Sequence, residues 1–154
     1  KHDNVLILRT LSKGYSLAGL RFGYGIGAAS LIAPMMFKTR DSYNTDHISQ
    51  MLATAALESS QYAEQTCAQV RKSREQLRSQ LNDLGLSSPL SQSNFLLCQV
   101  PDAIGASNLY QQLKQRNILV RYFDQNKLRD KLRISIGTDA ENAALLTAIK
   151  EIIA

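Results

Sequence analysis

Val5-Leu6-Ile7-Leu8-Arg9-Thr10-Leu11-Ser12-Lys13-Gly14-Tyr15-Ser16-Leu17-Ala18-Gly19-Leu20-Arg21-Phe22-Gly23-Tyr24-Gly25-Ile26-Gly27 is the stretch on which the fold turns. Its first four residues are an unbroken apolar run, the pattern of a strand covered on both faces in a helix-flanked parallel sheet. The run then turns polar at what would be the carboxyl end of the strand, where open α/β sheets bind ligands. Phe22 to Gly27 reads as a second strand. Its alternating glycines strip one face of side chains, which predicts close packing against that face. A dinucleotide loop does not fit, because the glycines lie inside a strand-like run and the third glycine position counted from Gly25 is Ser30.

Downstream, the pattern predicts a helix from Ala28 to Phe37 around Pro34, a polar loop from Asp41 to Asp46, and a small-residue helix from His47 to Ser59. The clearest periodicity follows. Ala63, Cys67, Val70, Arg74, Leu77, Leu81 and Leu84 alternate spacings of four and three, which sets them on one helical face. Gly85 then reads as a C′ residue, with Leu86 placed for a Schellman contact. Arg74 is the one charge on the stripe, and its stem is expected to cover apolar surface while its head reaches water. Arg71, Lys72, Glu75 and Arg78 read as a solvated face.

Beyond Ser87-Ser88-Pro89 the expected order is strand (95–100), helix (107–115), strand (118–123), strand (132–136) and helix. The last helix opens on a capping box, Thr138 and Glu141, and turns Leu145, Ile149 and Ile152 inward. This is the order of a small α+β layer. The boundary between it and the preceding α/β part is placed near residue 60, which gives domains 1–60 and 61–154.

The 154 residues carry 18 Lys+Arg and 13 Asp+Glu, a net charge of +5, with 44% hydrophobic residues. That balance excludes a disordered chain. The basic residues are scattered, so no nucleic-acid partner is expected, and no apolar run is long enough to span a membrane. The early apolar run leads into Arg9-Thr10 rather than a small-residue cleavage site, so no signal peptide is expected. Cys67 and Cys98 have no CxxC partner, which argues for a reducing, cytoplasmic setting without disulfides or metal. Cys98 reads as a small core residue; His2 and His47 read as surface residues.

Thr10, Ser12, Lys13 and Arg21 form the densest chemical cluster. Two hydroxyls and a guanidinium suit a phosphate dianion. A lysine kept nucleophilic beside such a pocket suits covalent chemistry with an aldehyde. Spacing alone leaves open the plainer reading of a solvated loop lysine.

The run Arg9 to Tyr24 closely resembles the pyridoxal-phosphate lysine segment of the fold-type I aminotransferases, and most of all their histidinol-phosphate subgroup. The resemblance continues through Ser42-Tyr43-Asn44 with Gln50, through Ser93-Asn94-Phe95-Leu96-Leu97, and through Leu132-Arg133-Ile134-Ser135-Ile136-Gly137-Thr138 followed by Glu141-Asn142. It implies an α/β fold: the end of the family's large domain followed by its complete α+β small C-terminal domain. It also implies that Lys13 carries pyridoxal 5'-phosphate covalently and acts as the catalytic base, while Thr10, Ser12 and Arg21 bind the phosphate. Tyr43 and Asn44 match a loop sent towards the partner subunit's cofactor in a homodimer. Arg133, Arg121 and Asn94 match substrate-binding positions. Gln125-Asn126 departs from the subgroup, which often has proline there.

The reaction so implied transfers an amino group between histidinol phosphate and 2-oxoglutarate, both small molecules, in histidine biosynthesis. The resemblance places the family's ring-nitrogen aspartate and glycine-rich loop before the lysine strand. This chain is therefore expected to correspond to the back portion of such an enzyme and to be a poor catalyst alone. The alternatives are an aromatic or other amino-acid aminotransferase, or a fragment acting only as a folding or assembly unit.

Overall fold

The computed structural model describes residues 2–154 and divides into two compact units between Cys67 and Ala68. In the first, β1 (Leu6–Thr10) pairs with β2 (Gly23–Gly27) in antiparallel register, from Leu6↔Gly27 to Thr10↔Gly23. The strand expected at Val5–Leu8 is present over Leu6–Thr10, and one expectation about it is corrected. Its partner among the described residues is antiparallel rather than parallel, and within this chain Ile7 and Leu8 are 51% and 75% exposed.

Gly23, Gly25 and Gly27 are exposed in this chain, so the close approach is to the paired strand β1 rather than to a layer packed against their face. A Cβ on Gly23 would lie 2.7 Å from the Arg9 carbonyl oxygen, nearer than any real methyl group sits to backbone. Gly23→Ala is therefore expected to open the pair at its lysine end, costing roughly 1–3 kcal/mol. The check is hydrogen exchange at the Leu11 amide, which donates to Phe22 O at 3.3 Å; unchanged protection would count against it.

A short helix, α1 (Ala29–Pro34), follows, then a wider turn of π type over Met35–Thr39, closed by Arg40 N–H on Met35 O at 3.0 Å. Pro34 has no N–H to donate to the preceding turn, and the helix widens directly after it. Then α2 (His47–Glu58) starts on Asp46, whose carboxylate accepts from Ser49 N (2.8 Å) and Ser49 Oγ (2.6 Å). These bonds to Ser49 hold the Asp46 carboxyl below its usual range.

The second unit has the order expected of it. The helix α3 (Ser60–Asp83) ends as a Schellman motif: Leu86 N–H reaches Leu81 O and Gly85 N–H reaches Asn82 O, both at 2.9 Å, with Gly85 at φ +84°. Arg74 departs from expectation. It is only 5% exposed, and its guanidinium bonds Ser93 O at 3.1 Å and Glu75 Oε1 at 3.0 Å instead of reaching water. A buried guanidinium must find acceptors, and the carbonyl before β3 supplies one.

Strands β3 (Phe95–Gln99), β5 (Lys131–Ser135) and β4 (Arg121–Tyr122) form an antiparallel sheet in the order β3-β5-β4. The strand expected over 118–123 shrinks to two residues because Ile118 N–H goes to Leu113 O, closing the end of α4 (Ala106–Gln115). Alternation buries Leu96, Cys98, Leu132 and Ile134 in the core with Leu77, Leu81, Leu109, Leu113 and Ile149, and leaves Phe95, Leu97, Arg133 and Ser135 on the open face. Cys98 is fully buried, and burial raises its thiol pKa to about 11.

The last helix, α5 (Asp139–Ile153), carries the expected capping box: Thr138 N–H donates to Glu141 Oε2 at 2.7 Å, and Glu141 N–H donates to Thr138 Oγ1 at 3.3 Å. The Thr138 amide is the largest cause that lowers the Glu141 pKa. A depressed folded pKa means stabilisation that is full above the unfolded value and lost as pH falls through the folded one. Glu141→Gln keeps the shape but cannot titrate, so its stability is expected to fall less steeply than the parent's below about pH 4.5. Acid unfolding followed by helical circular dichroism checks this, and identical slopes would refute it.

Candidate active-site residues and relatives

The lysine loop is built on Leu11, which is 1% exposed and anchors the turn between β1 and β2. Leu17 N–H returns to Leu11 O at 3.1 Å, and Ser16 N–H closes a turn on Lys13 O at 3.0 Å. Ser16 and Arg21 both adopt left-handed backbone, φ 57°. The first lets the chain reverse past Lys13, and the second leads it into β2. The sequence signal for Leu11 is a single apolar residue among polar neighbours, and only the folded turn gives it a core to enter.

Around that anchor, Thr10 Oγ1 donates to Ser12 Oγ at 2.9 Å and accepts from Ser12 N at 3.1 Å. The Ser12 hydroxyl keeps its own proton to donate. Arg21 gives one bond, Nη1 to Ala18 O at 2.9 Å, and its other N–H groups remain available. Lys13 is exposed, and among the described residues no carboxylate pairs with it. The antiparallel register brings Thr10 opposite Gly23, so Ser12, Lys13 and Arg21 share one end of the strand pair. Hydroxyl, guanidinium and amine donors at one end fit a phosphate monoester bearing an aldehyde, which is the chemistry of pyridoxal phosphate.

Tyr43 and Asn44 lie in the loop before α2, where Asp41 Oδ1 accepts from Tyr43 N at 3.1 Å and turns the chain outward. Tyr43 is 95% exposed.

In the second unit, Arg121 and Arg133 are register partners on adjacent strands. Directly opposed residues on one face place their Cβ atoms roughly 4.5–5.5 Å apart, and like charges there repel. Among the described residues neither arginine has an ion pair. Arg121 Cζ lies 5.1 Å from the Phe123 ring centroid; Arg133 Cζ lies 5.8 Å from that ring and 5.4 Å from Phe95. Asn94 directly precedes Phe95, and its carbonyl accepts from Ile136 N at 2.9 Å, extending the β3–β5 ladder by one step. The turn holding Asn94 is fixed from behind by Arg74 and by Ser91, whose hydroxyl donates to Phe95 O at 2.8 Å. Two unneutralised guanidiniums on an open sheet face have the chemistry to hold an anion.

Comparison with known proteins places the chain among aminotransferases. Residues 1–149 match the family described as aminotransferase class I and II. A histidinol-phosphate aminotransferase from Microcystis aeruginosa is 51% identical over 153 residues, covering 99% of this chain and 43% of the relative. Histidinol-phosphate aminotransferase 1 from Nostoc sp. is 49% identical over 152 residues, covering 99% and 42%. Among solved structures, the histidinol-phosphate aminotransferase of Clostridium acetobutylicum superposes with a TM-score of 0.89 at 25% identity, over 99% of this chain and 46% of that one. The Sinorhizobium meliloti enzyme, solved in complex with pyridoxal-5'-phosphate, gives 0.84 at 31% identity, over 98% and 41%. The chain spans less than half the length of these relatives. With the lysine loop, the opposed arginines and a family match running from residue 1 to residue 149, this chain belongs to the aminotransferase class I and II family.

Proposed function

We propose that this chain is the lysine-bearing and arginine-bearing part of a pyridoxal-phosphate transaminase whose amino donor is histidinol phosphate and whose acceptor is 2-oxoglutarate, the reaction being reversible. Residues 1–60 are read as the end of the large domain and 61–154 as the small one. Lys13 would hold the cofactor through its amine and, when free, would move the proton at the substrate carbon. Thr10, Ser12 and Arg21 hold the phosphate. When bound, the cofactor supplies an electron-withdrawing ring that stabilises negative charge on the carbon losing its proton. Tyr43 and Asn44 serve the partner subunit's cofactor in a homodimer, and Asn94 lines the substrate side. A cytoplasmic setting fits this metabolism, and among the described residues no helix is long and apolar enough to cross a membrane.

The observation that carries the substrate choice is the register pairing of Arg121 with Arg133. One arginine suffices for a carboxylate, whereas two fit the doubly charged phosphate of histidinol phosphate. In the intact enzyme Arg121→Gln is expected to weaken histidinol phosphate by roughly 1.5–3 kcal/mol, the worth of one charged hydrogen-bond partner. The penalty for phenylalanine as donor should be smaller, and the cofactor's visible absorption should not change. Comparing kcat/KM for the two donors is the measurement. Equal penalties would make Arg121 structural and remove the case for a phosphate substrate.

A further inference from the structure

The fold places two positive charges opposite each other and neutralises neither. The carboxylates on the connection between β4 and β5 are engaged elsewhere: Asp124 faces Arg129 at 3.8 Å, and Asp130 faces Lys131 at 2.7 Å while accepting from Gln99 Nε2 at 2.7 Å. What both guanidiniums share is one half-buried ring, that of Phe123, with centroid distances of 5.1 and 5.8 Å inside the roughly 6 Å range of cation–π attraction. Phe95 adds a second ring beside Arg133 at 5.4 Å. A carboxylate in this place would also hold the arginines, but it would occupy their N–H groups and cancel their charge. An aromatic face attracts the cation while leaving its N–H donors free for a ligand.

We propose that Phe123 is a positioning residue: its ring holds Arg121 and Arg133 side by side as one dianion clamp, with Phe95 steadying Arg133. This deepens the substrate reading above and rests on it. Phe123 touches no reacting atom; it acts through the two arginines. The consequence is specificity for a doubly charged group, because the ring keeps both guanidiniums on one side of the sheet when repulsion would separate them.

The test is a titration of the 154-residue chain with inorganic phosphate, followed at the Nε–Hε resonances of Arg121 and Arg133. Three forms are compared: the unmodified chain, Phe123→Leu and Phe123→Tyr. A guanidinium over a ring is shielded, so both resonances are expected upfield in the unmodified chain before phosphate is added, and both should move on titration. In Phe123→Leu the displacement should vanish for Arg121 and shrink for Arg133, with phosphate binding about three- to tenfold weaker. Phe123→Tyr keeps the aromatic face and should restore both effects. Undisplaced resonances in the unmodified chain overturn the proposal, even if Phe123→Leu fails to fold. Displaced resonances with equal phosphate affinity in the leucine variant also overturn it, and leave the substrate-anion reading standing. If phosphate moves neither arginine of the unmodified chain, that reading fails and takes the positioning role with it.

Discussion

Lys13→Ala is expected to abolish transamination in the enzyme that carries this chain while leaving the cofactor's phosphate bound. The lysine is proposed to do two jobs with one nitrogen. The proton transfer alone is worth roughly 10²–10⁴-fold, and loss of the covalent attachment adds to it. The proposed phosphate ligands Thr10 and Ser12 are tied to each other rather than to Lys13, at 2.9 and 3.1 Å, so removing the amine leaves their geometry intact. Turnover should fall to background. Borohydride treatment, which fixes the cofactor to the parent enzyme, should no longer add its mass to the peptide bearing residue 13. Fixation at another lysine, or turnover within tenfold of the parent, would displace Lys13 from the role.

The largest effect on stability is expected from Leu81→Ala. Leu81 is fully buried, and its backbone carbonyl takes the Leu86 N–H that ends α3. Truncation to alanine keeps that bond and removes the side chain that α3 drives into the core with Leu77 and Leu86. Leu→Ala at such a position costs about 2–5 kcal/mol. A unit of this size is stable by roughly 5–10 kcal/mol, so the loss is a fifth or more of the total. Urea unfolding of the second unit should shift by that amount, whereas Leu119→Ala, at an 80% exposed position, should stay within about 0.5 kcal/mol. Similar shifts for the two variants would mean that the stripe is not the core face.

Much of the second unit was legible because its signals are local. The Gly85–Leu86 ending and the Thr138–Glu141 box are hydrogen bonds between residues at most five positions apart, and such contacts form wherever the helix forms. Periodicity located Leu77, Leu81, Leu145 and Ile149 in the core for the same reason. The reading failed where a distant partner decided the outcome. Val5–Leu8 reads as a strand of a parallel sheet because composition reports hydrophobicity and not direction, yet its partner β2 runs antiparallel. Arg74 reads as a snorkelling charge because nothing in its own helix announces that Ser93 O, nineteen positions away, will take its Nη1.

The candidate site divides along the same line. Chain order by itself brought Thr10, Ser12 and Lys13 together, since residues within four positions cannot be far apart, and the resemblance of that segment carried the cofactor and its lysine. Arg121 and Arg133 could be named from sequence but not related. Their pairing depends on the β4–β5 register, and a slip of one residue would send one of them to the core face. Phe123 carried no signal at all until that register set its ring beside both guanidiniums. Local hydrogen bonding and side-chain period are written into consecutive residues, so the sequence determined the elements, their caps and the lysine loop. Cross-strand register and burial depend on residues brought together only by folding, so the tertiary structure alone decided which charges face one another and which way the strands pair.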